Sequence, residues 1–370
     1  MIPVWEPVLD GNEERYVRDC LETNWISSLG RYIPRFEETF ANWCGMPHGV
    51  ACSSGTAALH LALTALGVEP GDEVLIPDFT LIVSANTVIQ TGARPVLVDV
   101  DPRTACIDPS QIEEKVTSRT RAIMAVHMYG HPCDMPAIGE IARRRGLAVV
   151  EDCAEAHGAR LGAARVGTFG EANAFSFYGN KILTTGEGGM VLTRDGALAA
   201  KLRLLRDQAF EEPRFVHREI GFNYRLTNVQ AAIGLAQTEK ADEKVEKKRA
   251  IARWYLERLR DCQDVTLPYE APGARSVYWM FAVRLGDRFT QGRDGVMQEL
   301  KANGIDTRAF FCPMHLQPVF QKNDPRFPDV RGSYPVSEDL WKRGLYLPSG
   351  LGLTEAQVDE VVEKLLACRS

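Results

Sequence analysis

No uninterrupted apolar run in this chain of 370 residues approaches the ~18 residues that a membrane-spanning helix needs. The first residues, Met1 to Glu6, show no basic segment followed by an apolar one, and we expect no secretory signal. The nine cysteines are odd in number and include no Cys-x-x-Cys pair, which argues against a disulfide framework or a zinc site. Low-complexity segments and internal repeats are also absent. These absences favour a cytoplasmic protein that does not span a membrane.

Charge and length narrow the choice further. A net charge of −6 provides no basic field for nucleic acid, and we expect no nucleic-acid partner. The chain exceeds the usual size of one hydrophobic core, which predicts two domains. A long, charged helical pattern over residues 239–259 is typical of a connecting helix. We therefore predict a large N-terminal domain over residues 1–245 and a small C-terminal domain over residues 246–370.

Short apolar runs alternate with helical patterns in the first half of the chain. Continuous runs of Val, Ile and Ala are typical of strands buried on both faces of a parallel sheet. The sequence therefore predicts an α/β domain with about seven strands in one largely parallel sheet, followed by a small α+β domain. The predicted strands lie at residues 50–52, 73–77, 95–100, 122–127, 147–151, 174–177 and 190–193.

One lysine, Lys181, follows an apolar run that ends in Phe177 and precedes a glycine-rich segment. Burial lowers the pKa of a lysine and makes its neutral amine available as a nucleophile, as a Schiff-base lysine requires. The alternative is an ordinary solvated loop lysine, the more common case for this residue type. Other motifs in the chain must decide between the two interpretations.

Two further motifs carry polar groups at predicted strand ends. Residues Ser53 to Thr56 precede a strong helix, where free backbone N–H groups and hydroxyls can hold an anion, although ordinary helix capping is the alternative. Asp152 emerges where an apolar run stops, and it must be paired there or it would protonate. Helix capping is again the alternative. A metal site made of Asp152, His127 and His157 is a weaker hypothesis, because it requires neither the lysine nor the anion site, and we predict no metal.

A strand-end lysine, a strand-end aspartate and an anion-binding helix start are used together in pyridoxal 5′-phosphate (PLP) catalysis. The lysine forms a Schiff base with the cofactor, the carboxylate keeps the pyridine nitrogen protonated, and the helix N-terminus holds the phosphate. The order of these motifs in the chain matches the large PLP fold that includes aspartate aminotransferase.

The chain resembles the DegT-type sugar-nucleotide aminotransferases over essentially its whole length. Within that family it is most similar to the GDP-perosamine synthases. The resemblance implies an α/β fold of the aspartate aminotransferase-like type (fold type I), PLP as the cofactor, and a homodimer whose active sites are shared across the interface. The motifs that carry the resemblance are Ser53–Leu59, Glu151–Gly158, Phe175–Gly189 and Gly221–Arg225, and those shared with the perosamine synthases are Leu9–Glu13, Trp25–Ser28, Glu155 and Tyr178–Lys181.

The resemblance also implies a role for each matching residue. Lys181 would form the Schiff base and carry a proton between substrate and cofactor, and Asp152 would pair with the pyridine nitrogen. Leu81 departs from the family pattern, because relatives usually carry a ring-stacking aromatic residue there. The other implied cofactor contacts are Ser54, Gly55, Thr56, Glu155, Ser176 and, reaching the neighbouring subunit's phosphate, Asn223. The implied substrate contacts are Trp25, Ser27, Ser28, Tyr178, Arg225 and His315.

We therefore predict an aminotransferase of polysaccharide (O-antigen) biosynthesis that moves an amino group from L-glutamate to a 4-keto-6-deoxy sugar nucleotide. The subgroup resemblance implies GDP-4-keto-6-deoxymannose as acceptor and GDP-perosamine as product, and a UDP- or dTDP-linked keto sugar aminated at C3 or C4 is an alternative. A PLP-dependent sugar 3-dehydratase is a second alternative, but those relatives carry histidine in place of the lysine, so Lys181 argues against it. A non-enzymatic regulator is a third, although Lys181, Asp152 and Ser176 are all intact.

Overall fold

The computed structural model describes all 370 residues of the chain. None of its helices has the length and apolar character that crossing a membrane would need. The helices are α1 Glu13–Glu22, α2 Tyr32–Cys44, α3 Gly55–Ala65, α4 Val83–Gln90, α5 Pro109–Ile112, α6 Met135–Arg145, α7 Gly196–Arg206, α8 Asn228–Glu239, α9 Ala241–Leu259, α10 Gly292–Ala302, α11 Pro335–Arg343 and α12 Glu355–Ala367. The strands are β1 His48–Cys52, β2 Glu73–Pro77, β3 Arg94–Val98, β4 Thr120–Val126, β5 Ala148–Asp152, β6 Arg160–Leu161, β7 Ala164–Arg165, β8 Ala172–Ser176, β9 Gly189–Thr193, β10 Val265–Thr266, β11 Ala274–Arg275, β12 Phe281–Leu285, β13 Arg308–Ala309 and β14 Gly344–Leu347.

The main sheet has seven strands in the order β1-β9-β8-β5-β4-β2-β3. All neighbouring strands are parallel except β9, which is antiparallel to both β8 and β1. The predicted largely parallel sheet is therefore confirmed. Asp152 ends β5 and Ser176 ends the adjacent β8, so both lie at the carboxyl edge of the sheet. In open parallel sheets this edge is where ligands bind.

The C-terminal part contains a second sheet in the order β10-β12-β14-β13, with every pair antiparallel. Helix α9 packs on two hydrophobic cores: Ala241 and Val245 belong to the core of the main sheet, whereas Ile251 and Leu259 belong to the smaller core around β12 and β14. The predicted boundary near residue 245 falls within this helix. It stays a prediction, because one continuous helix serves both cores.

A buried carboxylate fixes the segment around Asp152. Glu151 is fully buried and accepts backbone hydrogen bonds from Gly167 (2.8 Å), Phe169 (2.7 Å) and Gly170 (2.9 Å). It also accepts a bond from His127 Nε2 at 3.0 Å. Burial opposes the charge, but His127 and the backbone N–H groups outweigh it and lower the pKa of Glu151. The ionised carboxylate thus stabilises the fold above the pKa of the unfolded chain, and this contribution is lost as pH falls through the lower, folded value.

We expect Glu151→Gln to reduce the free energy of unfolding by about 3 kcal/mol, because its amide N–H group would face backbone N–H donors in a buried site. Urea titration followed by circular dichroism measures the change. Glu38→Gln, at an exposed position of α2, is the matched control and should change stability by less than about 0.5 kcal/mol. An equally small effect of Glu151→Gln would contradict this account of the network.

Candidate active site

A cavity of about 350 Å³ opens at the carboxyl edge of the main sheet, between the start of α3 and the C-terminal part of the chain. It brings together residues that are far apart in the sequence, including ionisable, polar and aromatic groups. Nine of the residues predicted for the site line it: Ser54, Gly55, Thr56, Leu81, Asp152, Glu155, Ser176, Tyr178 and Lys181.

Lys181 is buried, with 7% of its surface exposed, and so it is not a solvated loop lysine. Its backbone N–H closes a turn with the Tyr178 carbonyl at 2.9 Å. Its Nζ lies 3.9 Å from the ring centroid of Trp279, and no carboxylate oxygen lies within 4.0 Å of it. Burial lowers the pKa of Lys181, while the charges of Glu155 and Asp152 oppose this shift. The neutral, nucleophilic amine is therefore more accessible than in an ordinary lysine.

The Asp152 carboxylate faces this cavity with little pairing inside the protein. It accepts one hydrogen bond, from the backbone N–H of Ala154 at 3.0 Å. Burial raises the pKa of Asp152, partly offset by that bond and by the charge of Lys181. A buried carboxylate that lacks a full set of partners can gain a charge-assisted hydrogen bond from a cationic N–H group. The position therefore suits a carboxylate that pairs with a ligand.

Glu155 is a second carboxylate of the same cavity. Its Oε2 accepts a hydrogen bond from the backbone N–H of Tyr129 at 2.8 Å. Burial raises its pKa to about 7, although the Lys181 charge and the Tyr129 N–H group act in the opposite direction. Near neutral pH this side chain can consequently either donate or accept a proton.

The anion site predicted from the sequence falls at the start of α3, which lines the cavity. The first N–H groups of a helix have no partners inside the helix. Ser54, the N-cap, accepts a hydrogen bond from the Ala57 backbone at 3.1 Å, and the N–H groups of Gly55 and Thr56 remain free for a ligand. A β-carbon at Gly55 would lie 2.6 Å from the Ser176 β-carbon. Glycine is therefore required for the helix start to approach the end of β8. Together with the Ser176 hydroxyl, these N–H groups form a cradle of the kind that binds phosphate.

Leu81 and Phe79 are the two apolar side chains that could cover the ring of a ligand in the cavity. Leu81 lines the cavity and is 45% exposed. Phe79 is fully buried instead and packs on Tyr129, Phe310 and Phe311. Phe79 is therefore part of the core and does not substitute for the aromatic residue that relatives usually carry at position 81.

Six predicted site residues do not line this cavity in the single chain. Arg225 pairs with Asp207, and His315 Nδ1 bonds to Asp78 at 2.7 Å. Trp25 is 55% exposed, and Asn223 is also exposed. The six are Trp25, Ser27, Ser28, Asn223, Arg225 and His315.

Sequence reasoning missed the aromatic wall of the cavity, which consists of Trp279, Phe311 and Tyr346. All three come from the C-terminal part of the chain. The alternating pattern around Trp279 predicts a strand, and a buried aromatic residue in a strand is typical of a core. The one feature that could have indicated a site is the aromatic dipeptide Tyr278–Trp279 near the start of that predicted strand. Its position beside Lys181 can be seen only in the folded chain.

The potential metal ligands that the structure brings together differ from the set Asp152, His127 and His157 considered from the sequence. His127, Glu151 and Cys153 come together, with ligand atoms within 4.8 Å of one another. Hydrogen bonds already use both nitrogens of His127, because Nδ1 accepts from the Cys133 backbone at 3.0 Å and Nε2 donates to Glu151. This cluster therefore serves as a structural network.

Comparison with known proteins identifies the family. Residues 7–366 match the DegT/DnrJ/EryC1/StrS aminotransferase family. The chain belongs to this family. The predicted family resemblance is thereby confirmed, and the enzyme is an aminotransferase.

Relatives in this aminotransferase family cover nearly all of the chain. A GDP-perosamine synthase from Caulobacter vibrioides is 49% identical over 366 residues, which are 98% of this chain and 97% of that one. A dTDP-3-amino-3,4,6-trideoxy-alpha-D-glucose transaminase from Streptomyces venezuelae is 40% identical over 337 residues, 90% of this chain and 86% of that one. Among solved structures, S. venezuelae DesV with a ketimine intermediate has a TM-score of 0.89 at 38% identity, covering 96% of this chain and 93% of that one.

The raised pKa of Glu155 predicts a pH dependence of stability in the ligand-free aminotransferase. A carboxylate whose folded pKa is about 7 contributes stability in acid, and this contribution is lost as pH rises through that value. Between pH 5 and pH 8 we expect the unfolding free energy of the wild type to fall by about 3 kcal/mol relative to Glu155→Gln, which cannot titrate. Parallel pH profiles of the two proteins in urea titrations would contradict the assignment.

Proposed function

We propose that this aminotransferase binds PLP and transfers an amino group from L-glutamate to a 4-keto-6-deoxy sugar nucleotide, GDP-4-keto-6-deoxymannose, to give GDP-perosamine. The observation that carries the proposal is the buried Lys181 amine, which shares one cavity with two carboxylates and the α3 phosphate cradle. The 49% identity to a GDP-perosamine synthase over the full chain supports the acceptor.

The donor set of the cavity fits PLP. The cradle of Gly55, Thr56 and Ser176 matches a phosphate group, and Gly55 admits no larger residue. Asp152 has a carboxylate with a single internal hydrogen bond, which matches a protonated ring nitrogen. Glu155 would lie toward the ring hydroxyl, and Leu81 would cover a ring face by apolar contact. Lys181 supplies the amine.

When bound, PLP supplies an electron sink that makes a proton on the substrate carbon acidic. The chain's own residues do the rest. Lys181, with its lowered pKa, can take up that proton as a neutral amine and return it elsewhere as an ammonium. Asp152 would pair with the ring nitrogen and favour its protonated form. Trp279 and Tyr346 line the cavity and provide an apolar wall beside Lys181.

We infer that the active site is completed by a second copy of the chain. Asn223 and Arg225 match the family motif but lie outside the cavity of their own chain. Large apolar side chains near them in sequence are exposed, among them Phe215 (73%) and Ile220 (88%). Exposed apolar residues of this size favour a protein–protein contact, and a homodimer would cover them. Asn223 would then reach the neighbouring phosphate cradle.

We propose GDP as the nucleotide of the acceptor and the cytoplasm as the cellular location. A dTDP-linked acceptor remains the competing candidate, because the dTDP-sugar transaminase is 40% identical. The presence of Lys181 favours amination over sugar 3-dehydration. All nine cysteines are free thiols, which supports the reducing cytoplasm as the site of action.

A cofactor linked to lysine should give the purified protein an absorption band at about 410 nm or longer. This band should bleach when L-glutamate is added. Lys181→Ala should lose this band and at least about 10³-fold of the transamination rate, because no other residue supplies the amine. Lys322→Ala, at an exposed lysine, is the matched control and should behave as the wild type. A wild-type protein that binds no PLP would refute the proposal.

A thermal-shift series with GDP, UDP, dTDP and CDP tests the nucleotide. A ligand at a hundred times its Kd stabilises the protein by about 2.7 kcal/mol, and we expect the largest shift with GDP. Repeating the series with Arg225→Ala, which should reduce the shift, asks whether the predicted substrate residue takes part. A larger shift with dTDP or UDP than with GDP would exclude GDP-perosamine as the product.

A further inference from the structure

The turn that leads to Lys181 is held by two indole rings from outside the main sheet. Trp5 Nε1 donates a hydrogen bond to the Gly179 carbonyl at 3.2 Å, and Trp279 Nε1 donates one to the Asn180 carbonyl at 2.7 Å. These two carbonyls immediately precede Lys181. The path of the backbone into the lysine is therefore fixed by the N-terminal segment and by the small domain.

Trp279 is itself buried and held by a backbone hydrogen bond. It is 2% exposed, and its backbone N–H donates to the Tyr129 carbonyl at 2.9 Å. The residue before it, Tyr278, and its partner Tyr129 both have left-handed backbone conformations, with φ of 47° and 53°. Such conformations are unfavourable for residues other than glycine, and they persist where the surrounding structure determines them. The unfavourable backbone conformations of Tyr129 and Tyr278 therefore lie next to Trp279 and fix the direction in which its side chain points.

The face of the same indole contacts the lysine amine. Lys181 Nζ lies 3.9 Å from the centroid of the Trp279 ring, within the range of a cation–π interaction. The ionisable groups that also influence Lys181 are Asp152 and Glu155, and His157 is buried nearby with its pKa lowered to about 3, so it is uncharged. Neither carboxylate comes within 4.0 Å of Nζ. The ring is therefore the direct contact of the free ammonium.

Trp5 is anchored from the small-domain side. Lys248 is buried, lies 4.8 Å from the Trp5 ring centroid and donates a hydrogen bond to the Ser349 carbonyl. The backbone N–H of Ser349 in turn donates to the Val4 carbonyl at 3.1 Å. The position of Trp5 thus depends on the segment that follows β14, as the position of Trp279 depends on the segment that precedes β12.

We propose that Trp279 is a positioning residue for Lys181, acting together with Trp5. The two indole N–H groups hold the turn before the lysine, and the Trp279 ring face holds the free ammonium whenever the amine is not linked to another group. This inference rests on the proposed function, because it concerns the stage of the reaction in which Lys181 is released. It gives the small domain a direct part in the geometry of the amine.

The test uses the full-length chain after any bound cofactor has been removed, with the absence of absorption above about 400 nm as the check, so that the Lys181 amine is free and the outcome is independent of PLP chemistry. Reductive ¹³C-methylation labels the lysine amines, and the Lys181 resonance is assigned by its loss in Lys181→Arg. Methyl groups above an indole face resonate upfield, and we expect the Lys181 signal upfield of every exposed lysine. Trp279→Leu should return it to the ordinary position, and its titration midpoint should move to lower pH, because the cation–π contact is lost.

Three variants separate the indole face from the indole N–H group. Trp279→Phe keeps an aromatic face but loses the bond to Asn180, so the upfield shift should be reduced and not abolished. Trp5→Phe loses only the bond to Gly179. It should broaden the Lys181 resonance and shift it less than Trp279→Leu does. Trp254→Leu is the matched control, because that ring contacts Lys247 and not Lys181. Circular dichroism verifies that each variant is folded.

In the enzyme loaded with cofactor, Trp279→Phe should lower kcat of the glutamate half-reaction about tenfold with little change in KM, as expected when a proton-transferring group is less well placed. A wild-type Lys181 resonance at the ordinary position, or one that Trp279→Leu leaves unmoved, would overturn the positioning role. If the protein instead bound no PLP while the resonance behaved as described, the proposed function would fail and the indole contact would stand.

Discussion

Three ionisable groups, Lys181, Asp152 and Glu155, share one cavity without forming a close ion pair. All three side chains are buried, and burial is the leading influence on the pKa of each. A buried charge without a close partner is costly, and proteins retain such groups where their reactivity is used. The rest of the site holds these three groups apart from one another and leaves them accessible to a ligand.

Part of that architecture is a buried connection between the two sheets. Asp78 and Asp99 follow neighbouring strands of the main sheet, and both accept hydrogen bonds from the C-terminal part of the chain. Asp78 bonds to the backbone and ring of His315, and Asp99 bonds to the start of α11 at Val336 and Ser337. Burial disfavours the charge on His315, but Asp78 outweighs this effect and raises its pKa. This connection holds the aromatic wall against the edge of the main sheet.

That Lys181, Asp152 and the start of α3 meet in one cavity could be predicted from the sequence, because each of these groups belongs to a local motif. Lys181, Asp152 and the helix start at Gly55 all follow buried strands, and the parallel sheet brings such strand ends together. The aromatic wall was not predictable in the same way. Trp279 reaches Lys181 only through tertiary packing between the two sheets, and its local pattern is that of a core strand.

The histidine in the loop after β13 shows a second limit of sequence reasoning. His315 matches the family pattern, which predicts contact with the sugar nucleotide, whereas in the single chain its ring is bonded to Asp78 and lies outside the cavity. Asn223 and Arg225 likewise match the family pattern and lie outside the cavity of the single chain. Contacts of this kind depend on the packing of domains and subunits, which no short motif encodes.

The proposed function requires that Lys181, among all lysines of the chain, hold the cofactor. Reduction of the PLP-loaded protein with borohydride fixes the cofactor to the amine that holds it, and mass spectrometry of the tryptic peptides then locates the label. We expect one pyridoxyl group, on Lys181. A label on Lys244 or Lys248, the other buried lysines, or one spread over surface lysines, would contradict it.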